Sequence, residues 1–230
     1  MKLPAPLLEG VLVKRYKRFF ADVELFDGTV VTAHTPNTGS MKQCAVPGHQ
    51  VLISEANDPK RKLKYTLELI RVGDYWVDTH TQRTNRVVEE ALRSAWVDGL
   101  AGYEVTPEFK FGASRIDFFL AQGDERILLE VKNVTLIEGE STASFPDAVT
   151  TRGQKHLREL LEAKRQGYRA VIFFLVQRGE ATEFSPADAI DPEYGRLLRE
   201  VVAGGVEALA YQTLVTTTDN RVHQQIPVVL

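Results

Sequence analysis

Two runs of alternating polarity bracket a four-residue turn. Arg115-Ile116-Asp117-Phe118-Phe119-Leu120 precedes Gln122-Gly123-Asp124-Glu125, and Arg126-Ile127-Leu128-Leu129-Glu130-Val131-Lys132 follows it. This pattern specifies an antiparallel hairpin, because strand side chains alternate between faces and a one-residue slip would exchange the two sets. With Ala121 facing Arg126, the register sets Asp117 opposite Glu130 and Arg115 opposite Lys132. Ile116, Phe118, Leu120, Ile127, Leu129 and Val131 then share the core face. Like charges directly opposed on a sheet repel, so the two carboxylates call for a cation. Either Arg115 and Lys132 neutralise them in weak exposed salt bridges, or a divalent ion lies between them. A hard ion such as Mg²⁺ or Mn²⁺ takes one or two carboxylates plus waters and phosphate oxygens. Lys132, on the same face, is placed to meet a phosphate or an attacking water. The chemistry that such a set supports is metal-assisted phosphodiester hydrolysis, with Asp117, Glu130 and Lys132 as its catalytic residues.

The hairpin sits in the second of two regions with different texture. Residues 1–82 read as short strands at 11–13, 19–25, 30–33, 51–54, 65–72 and 75–78, punctuated by Pro36-Asn37-Thr38-Gly39, Pro47-Gly48 and Asn57-Asp58-Pro59. Many short strands without a helix imply a small β-barrel such as an OB-fold. From residue 83 onward the pattern changes. Val87, Val88, Ala91, Leu92, Ala95 and Trp96 recur at helical spacing with Asn85 as N-cap. Strands at 103–111, 115–121 and 126–134 follow, then a helix ending at Gly167, an apolar strand at 170–176, a helix over 192–203 and a strand at 206–215. The expected fold is therefore α+β in two domains, 1–82 an OB-fold-like barrel and 83–230 an α/β sandwich with a mixed sheet.

Charge refines the reading of the first domain. The whole chain carries 28 Lys/Arg against 31 Asp/Glu, which by itself argues against nucleic acid. Yet the early basic residues concentrate in two clusters, Lys14-Arg15-Tyr16-Lys17-Arg18 and Lys60-Arg61-Lys62 with Lys64. Local positive charge suffices to neutralise phosphates, and basic grooves with aromatic rings are how OB-folds hold single strands. These residues, Tyr16 included, are the expected nucleic-acid contacts. Alternation places at least one of Phe19 and Phe20 in the barrel core. Hydrophobic residues at 43% exclude wholesale disorder, and a lone cysteine, Cys44, excludes a disulfide framework or multi-cysteine zinc site. No apolar run approaches the roughly 20 residues of a membrane span, and Met1-Lys2-Leu3-Pro4-Ala5-Pro6 lacks a secretory core, so a cytoplasmic protein is expected.

The acidic hairpin on a helix-flanked sheet resembles the PD-(D/E)XK nuclease pattern. More extended text resembles the sugar fermentation stimulation protein family, SfsA. It comprises Lys14-Arg15-Tyr16-Lys17-Arg18-Phe19, Pro36-Asn37-Thr38-Gly39-Ser40-Met41, Asn57-Asp58-Pro59-Lys60-Arg61-Lys62, Glu130-Val131-Lys132-Asn133-Val134-Thr135-Leu136, Phe145-Pro146-Asp147-Ala148-Val149-Thr150 and Arg152-Gly153-Gln154-Lys155-His156-Leu157. That resemblance implies an N-terminal OB-fold, a nuclease-like C-terminal domain and non-specific DNA binding, RNA not being excluded. It leaves open whether the chain is a divalent-metal-dependent nuclease or a non-catalytic regulator of sugar (maltose) metabolism genes. The nuclease pattern also implies a metal-site glutamate on the preceding helix, Glu90 in preference to Glu89. It implies a catalytic glutamine on the following one, Gln154. A nuclease that cuts both strands of a duplex implies a homodimer. The family's cysteine is replaced here by Thr35, so no thiol chemistry is assigned there. A third reading, a protein–protein module with a merely salt-bridged hairpin, is told apart by failure to bind nucleic acid.

Overall fold

The chain is described by a computed structural model at every residue except Pro59 and Ala113, so the proline of the 57–59 turn lies outside the described residues. The first six strands are β1 (Leu7–Tyr16), β2 (Phe20–Leu25), β3 (Val30–His34), β4 (Gln50–Glu55), β5 (Tyr65–Val72) and β6 (Tyr75–Asp78). They run in the order β3-β2-β1-β4-β5-β6, and a parallel bridge from Ala33 and His34 of β3 to Tyr65 and Thr66 of β5 closes the barrel. Leu12, Val23, Ala33, Val51, Ile53, Leu67, Ile70 and Val77 fill it. β1 is far longer than its 11–13 core suggests. Its first half pairs with β4 and its second with β2, and a register shift between Leu12 and Lys14 breaks the alternation. At Gly10 the sheet is so tight that a Cβ would stand 2.7 Å from the Glu24 carbonyl oxygen.

Helix α1 (Thr81–Arg93) starts four residues before the expected cap. Asn85 lies inside it. The turn into the helix is held instead by Asp78, whose Oδ1 accepts the His80 N–H at 2.9 Å. The polar text of residues 81–84 had hidden the first turn. Then come β7 (Glu104–Phe111), β8 (Ser114–Gln122), β9 (Glu125–Val134), β10 (Leu136–Glu138), β11 (Thr142–Phe145), α2 (Thr151–Arg165), β12 (Arg169–Val176), β13 (Glu183–Pro186), α3 (Pro192–Ala203), β14 (Glu207–Val215) and β15 (Asn220–Ile226). The mixed sheet has the order β15-β14-β12-β9-β8-β7, with β9, β12 and β14 parallel. β12 is buried on both faces, as an apolar central strand must be. Ile172 and Phe174 face α2 and α3, whereas Val171, Phe173 and Leu175 pack in the cluster that takes Val87, Val88 and Leu92 of α1. Gly167 follows α2 at φ +90°, and its N–H and that of Tyr168 close back onto Lys164 and Ala163 at 3.1 Å each, a Schellman end. The side sheet β10-β11-β13 and the strand β15 were not legible, the former because its strands are only three or four residues long.

A buried polar chain joins the domains. Arg83 of α1 donates through Nη1 to Asp78 Oδ1 at 2.8 Å and through Nη2 to Glu68 Oε2. Asn220 Nδ2 then links Asp78 Oδ2 at 2.9 Å to Gln177 Oε1 at 3.1 Å. Cys44 lies in the same seam, its Sγ 3.5 Å from the Thr135 carbonyl oxygen, and burial pushes its thiol up to about 11. Among the described residues no helix is long and apolar enough to cross a membrane.

Candidate metal and nucleic-acid site

The hairpin ladder follows the expected register from Gln122–Glu125 to Phe118–Leu129 and stops there. At the next position β8 parts from β9, and Asp117 does not form a ladder pair with Glu130. Its side chain replaces the missing backbone partner: Asp117 Oδ2 accepts the Val131 N–H at 2.8 Å. Across β7 the facing residue, Glu108, has φ +56° and no ladder partner. This local twist turns Ile116 into the core beneath α2, away from Phe118 and Leu120, which corrects the single core face expected for the hairpin.

The break exposes Asp117 to a cleft of about 530 Å³ walled by Asn85, Glu89, Glu108 and Arg152. Asn85 Nδ2 donates to Asp117 Oδ1 at 2.8 Å. Burial, and then the charge of Glu130, push the Asp117 carboxyl up to about 6 despite these donors. Glu130 is buried behind it. Burial would raise its pKa as well, but His156 and Lys132 hold it below the ordinary value. Lys132 Nζ donates to Glu130 Oε1 at 2.8 Å, and the His156 Nδ1–H donates to the same oxygen. Arg152 Nε, 3.4 Å from His156 Nε2, fits that tautomer. Glu130 Oε2 is buried without a hydrogen-bond partner among the described residues.

The remaining expected positions divide. Glu90 is not brought to the cleft, because its carboxylate pairs with the Met1 amine at 2.7 Å. Glu89, one position earlier and one helical turn from Asn85, lines it. Gln154 is also turned away, its Nε2 donating to Asp191 at 3.0 Å. Asp147 accepts hydrogen bonds from the Ser40 hydroxyl at 3.1 Å and the Met41 N–H at 3.2 Å, both in the barrel domain. The missed contributors are His156, Asn85 and Arg152. The signals available were spacing: Asn85 and Glu89 stand four apart, as do Arg152 and His156, so each pair shares a helix face.

The basic clusters are unequal. Arg15 donates to the carbonyl oxygens of Asn37, Gly39, Ser40 and Arg18 at 2.7 to 3.1 Å, so it braces the 36–41 loop. Lys14 lies 3.4 Å from Asp22, which also accepts from Tyr16. Lys17, Arg18, Lys60, Arg61, Lys62 and Lys64 are exposed. Neither phenylalanine is in the core. Phe19 falls in the β1–β2 turn and is exposed, while Phe20 is half-buried and stacks on Tyr16 at 5.4 Å between centroids.

Two family models divide the chain: the SfsA N-terminal OB domain matches residues 13–78, and the sugar fermentation stimulation protein RE domain matches residues 82–219. The chain belongs to the SfsA family. It is 67% identical to a sugar fermentation stimulation protein homolog of Syntrophotalea carbinolica, over 99% of each chain. It is 56% identical to one of Geobacter sulfurreducens, over 99% of this chain and 98% of that one. The structure described as Pyrococcus furiosus SfsA in complex with Ca²⁺ superposes over 100% of both chains with a TM-score of 0.90 at 26% identity. The OB-like barrel and nuclease-like mixed sheet are thus the SfsA architecture, and Asp117, Glu130 and Lys132 lie on the adjacent strands β8 and β9 of its second domain.

Proposed function

We propose that this SfsA protein binds nucleic acid and that its C-terminal domain hydrolyses phosphodiester bonds with a divalent cation. The observation that carries this reading is the carboxylate pair at the strand break: Asp117 raised to about 6 beside a buried Glu130 whose Oε2 lacks a partner among the described residues. Lys132 and His156 serve Glu130, while Asp117 is held by the neutral donors Asn85 and the Val131 N–H. Among the described residues no three His, Cys, Asp or Glu side chains form a metal cluster. The protein's share of the coordination would be the two carboxylates that Mg²⁺ or Mn²⁺ commonly takes, with water and phosphate completing it. The Ca²⁺ named for the Pyrococcus relative is a hard ion of the same class. When bound, the cation would supply charge stabilisation and an acidified water. Asp117 and Glu130 would hold it, Asn85 fixes Asp117, and Lys132 retains N–H donors for a phosphate oxygen.

The test is incubation of the purified chain with single- and double-stranded DNA and RNA and Mg²⁺ or Mn²⁺. Cleavage is expected, and Asp117→Ala should abolish it. Cleavage that survives this change would exclude the site. The Lys132–Glu130 ion pair favours a second reading, a DNA-binding regulator that keeps the scaffold without catalysis, for which binding without cleavage is the expected result.

Proton linkage provides an independent check. With its folded pKa above the ordinary value of 3.8, Asp117 contributes stability that is complete below about pH 4 and lost as pH rises through about 6. A cation competes with that proton. The rise in Tm on adding Mg²⁺ should therefore be small at pH 5 and large at pH 7.5, measured by thermal melts; a rise independent of pH would contradict ligation by Asp117. For binding, charge reversal at Lys62 and Lys64 should lower DNA affinity and flatten its salt dependence by about 0.7 to 0.9 for each phosphate no longer neutralised. An unchanged slope in a salt titration would remove these lysines from the interface.

A further inference from the structure

Along the seam between the domains lie three neighbouring clefts. One, of about 290 Å³, is bounded by Phe19, Thr38, Arg61 and Gln82. It shares Gln82 with the Asp117 cleft and Thr38 with a third of about 230 Å³, which reaches the Asp117 cleft at Thr81. Together they line the seam from the β1–β2 turn to Asp117. Its wall changes along the way. At the barrel end Phe19 is 47% exposed, with exposed Arg61 in the same cleft and exposed Lys17 and Arg18 just before Phe19 in the turn. The middle carries hydroxyls and amides with Phe145 and the Asp147 carboxylate, and the buried Ser144 hydroxyl in the third cleft has no hydrogen-bond partner among the described residues. At the far end are Asp117, Glu89 and Arg152.

We propose that these clefts form a groove that carries a single strand of nucleic acid, with a base stacked on Phe19, a phosphate at Arg61 and the backbone led past Thr38 to Asp117. An exposed ring offers its face to an unpaired base, whereas bases in a duplex are already stacked on both sides. Exposed Lys17, Arg18 and Arg61 at one end, and exposed Arg86 and Arg152 beside the carboxylates at the other, can neutralise one phosphate backbone along this path. What happens at Asp117 rests on the hydrolytic reading above; the path of the strand rests on the groove alone.

The experiment is fluorescence anisotropy of the full chain without divalent metal, using labelled single strands of DNA and of RNA of about 16 nucleotides and the corresponding DNA duplex. The single strands should bind more tightly than the duplex. Phe19→Ala should weaken single-strand binding about 5- to 150-fold, the range for one lost base stack, and Phe19→Trp should preserve it. Thr38→Trp, which fills the middle of the groove, should weaken a 16-nucleotide strand but leave one of about 4 nucleotides unaffected. Tighter duplex binding, or unchanged affinity in Phe19→Ala with its melting curve intact, would overturn the proposal. The measurement is independent of hydrolysis. Binding as described without cleavage in Mg²⁺ refutes the hydrolytic reading and leaves the groove; cleavage with Phe19→Ala binding unchanged does the reverse.

Discussion

Replacing Arg83 with methionine should destabilise the protein by about 3–5 kcal/mol, the cost of leaving buried carboxylates unpaired. Its guanidinium is the bridge between Glu68 and Asp78, and all three side chains are nearly excluded from water. Burial works against the charge on Arg83, but Asp78 and Glu68 together outweigh it and raise its pKa. Methionine keeps most of the bulk while leaving two anions without their cation. Against a total stability of about 5–15 kcal/mol for an ordinary domain, this is a large fraction. The measurement is urea denaturation of the wild type, Arg83→Met and Arg83→Met/Glu68→Gln. The double variant should recover part of the loss, because one uncompensated charge has been removed. A double variant no better than the single would mean that Arg83 acts through packing.

On the proposed hydrolytic reading, the second large effect is catalytic. Lys132→Met should reduce metal-dependent cleavage about a hundred- to a thousandfold, the usual consequence of deleting one donor aimed at developing transition-state charge. Metal binding should persist, because Asp117 and Glu130 remain and His156 still donates to Glu130. Calorimetric titration with Ca²⁺ alongside a cleavage assay separates the two. Loss of both would make the ammonium a structural counter-ion for Glu130; loss of neither would remove Lys132 from the reaction.

The barrel, the mixed sheet and most of their strands were legible because turn residues and strict alternation mark them locally. Residues 192–203 announce a helix by Asp191 and Pro192 at one end and Gly204-Gly205 at the other, and the structure has it there. The hairpin's register was legible up to Phe118. The strand break at Asp117 was not, since it depends on Glu108 in a neighbouring strand adopting a positive φ. Periodicity also could not separate Glu89 from Glu90 without knowing which face of α1 looks into the cleft. Arg15 read as a phosphate contact because a guanidinium in a basic cluster looks the same whether it meets solvent or four carbonyl oxygens. His156 was passed over because a single histidine gains meaning only from Glu130, which is 26 residues away and brought near by α2.

The buried thiol gives the seam a clock of its own. Cys44 is walled in by Thr135 and Arg178 from the other domain, so a labelling reagent reaches it only during excursions in which the halves separate or the barrel opens. Its modification rate therefore counts those excursions. A strand lying in the groove spans both halves, so a bound strand should slow that rate even though it never touches the sulfur.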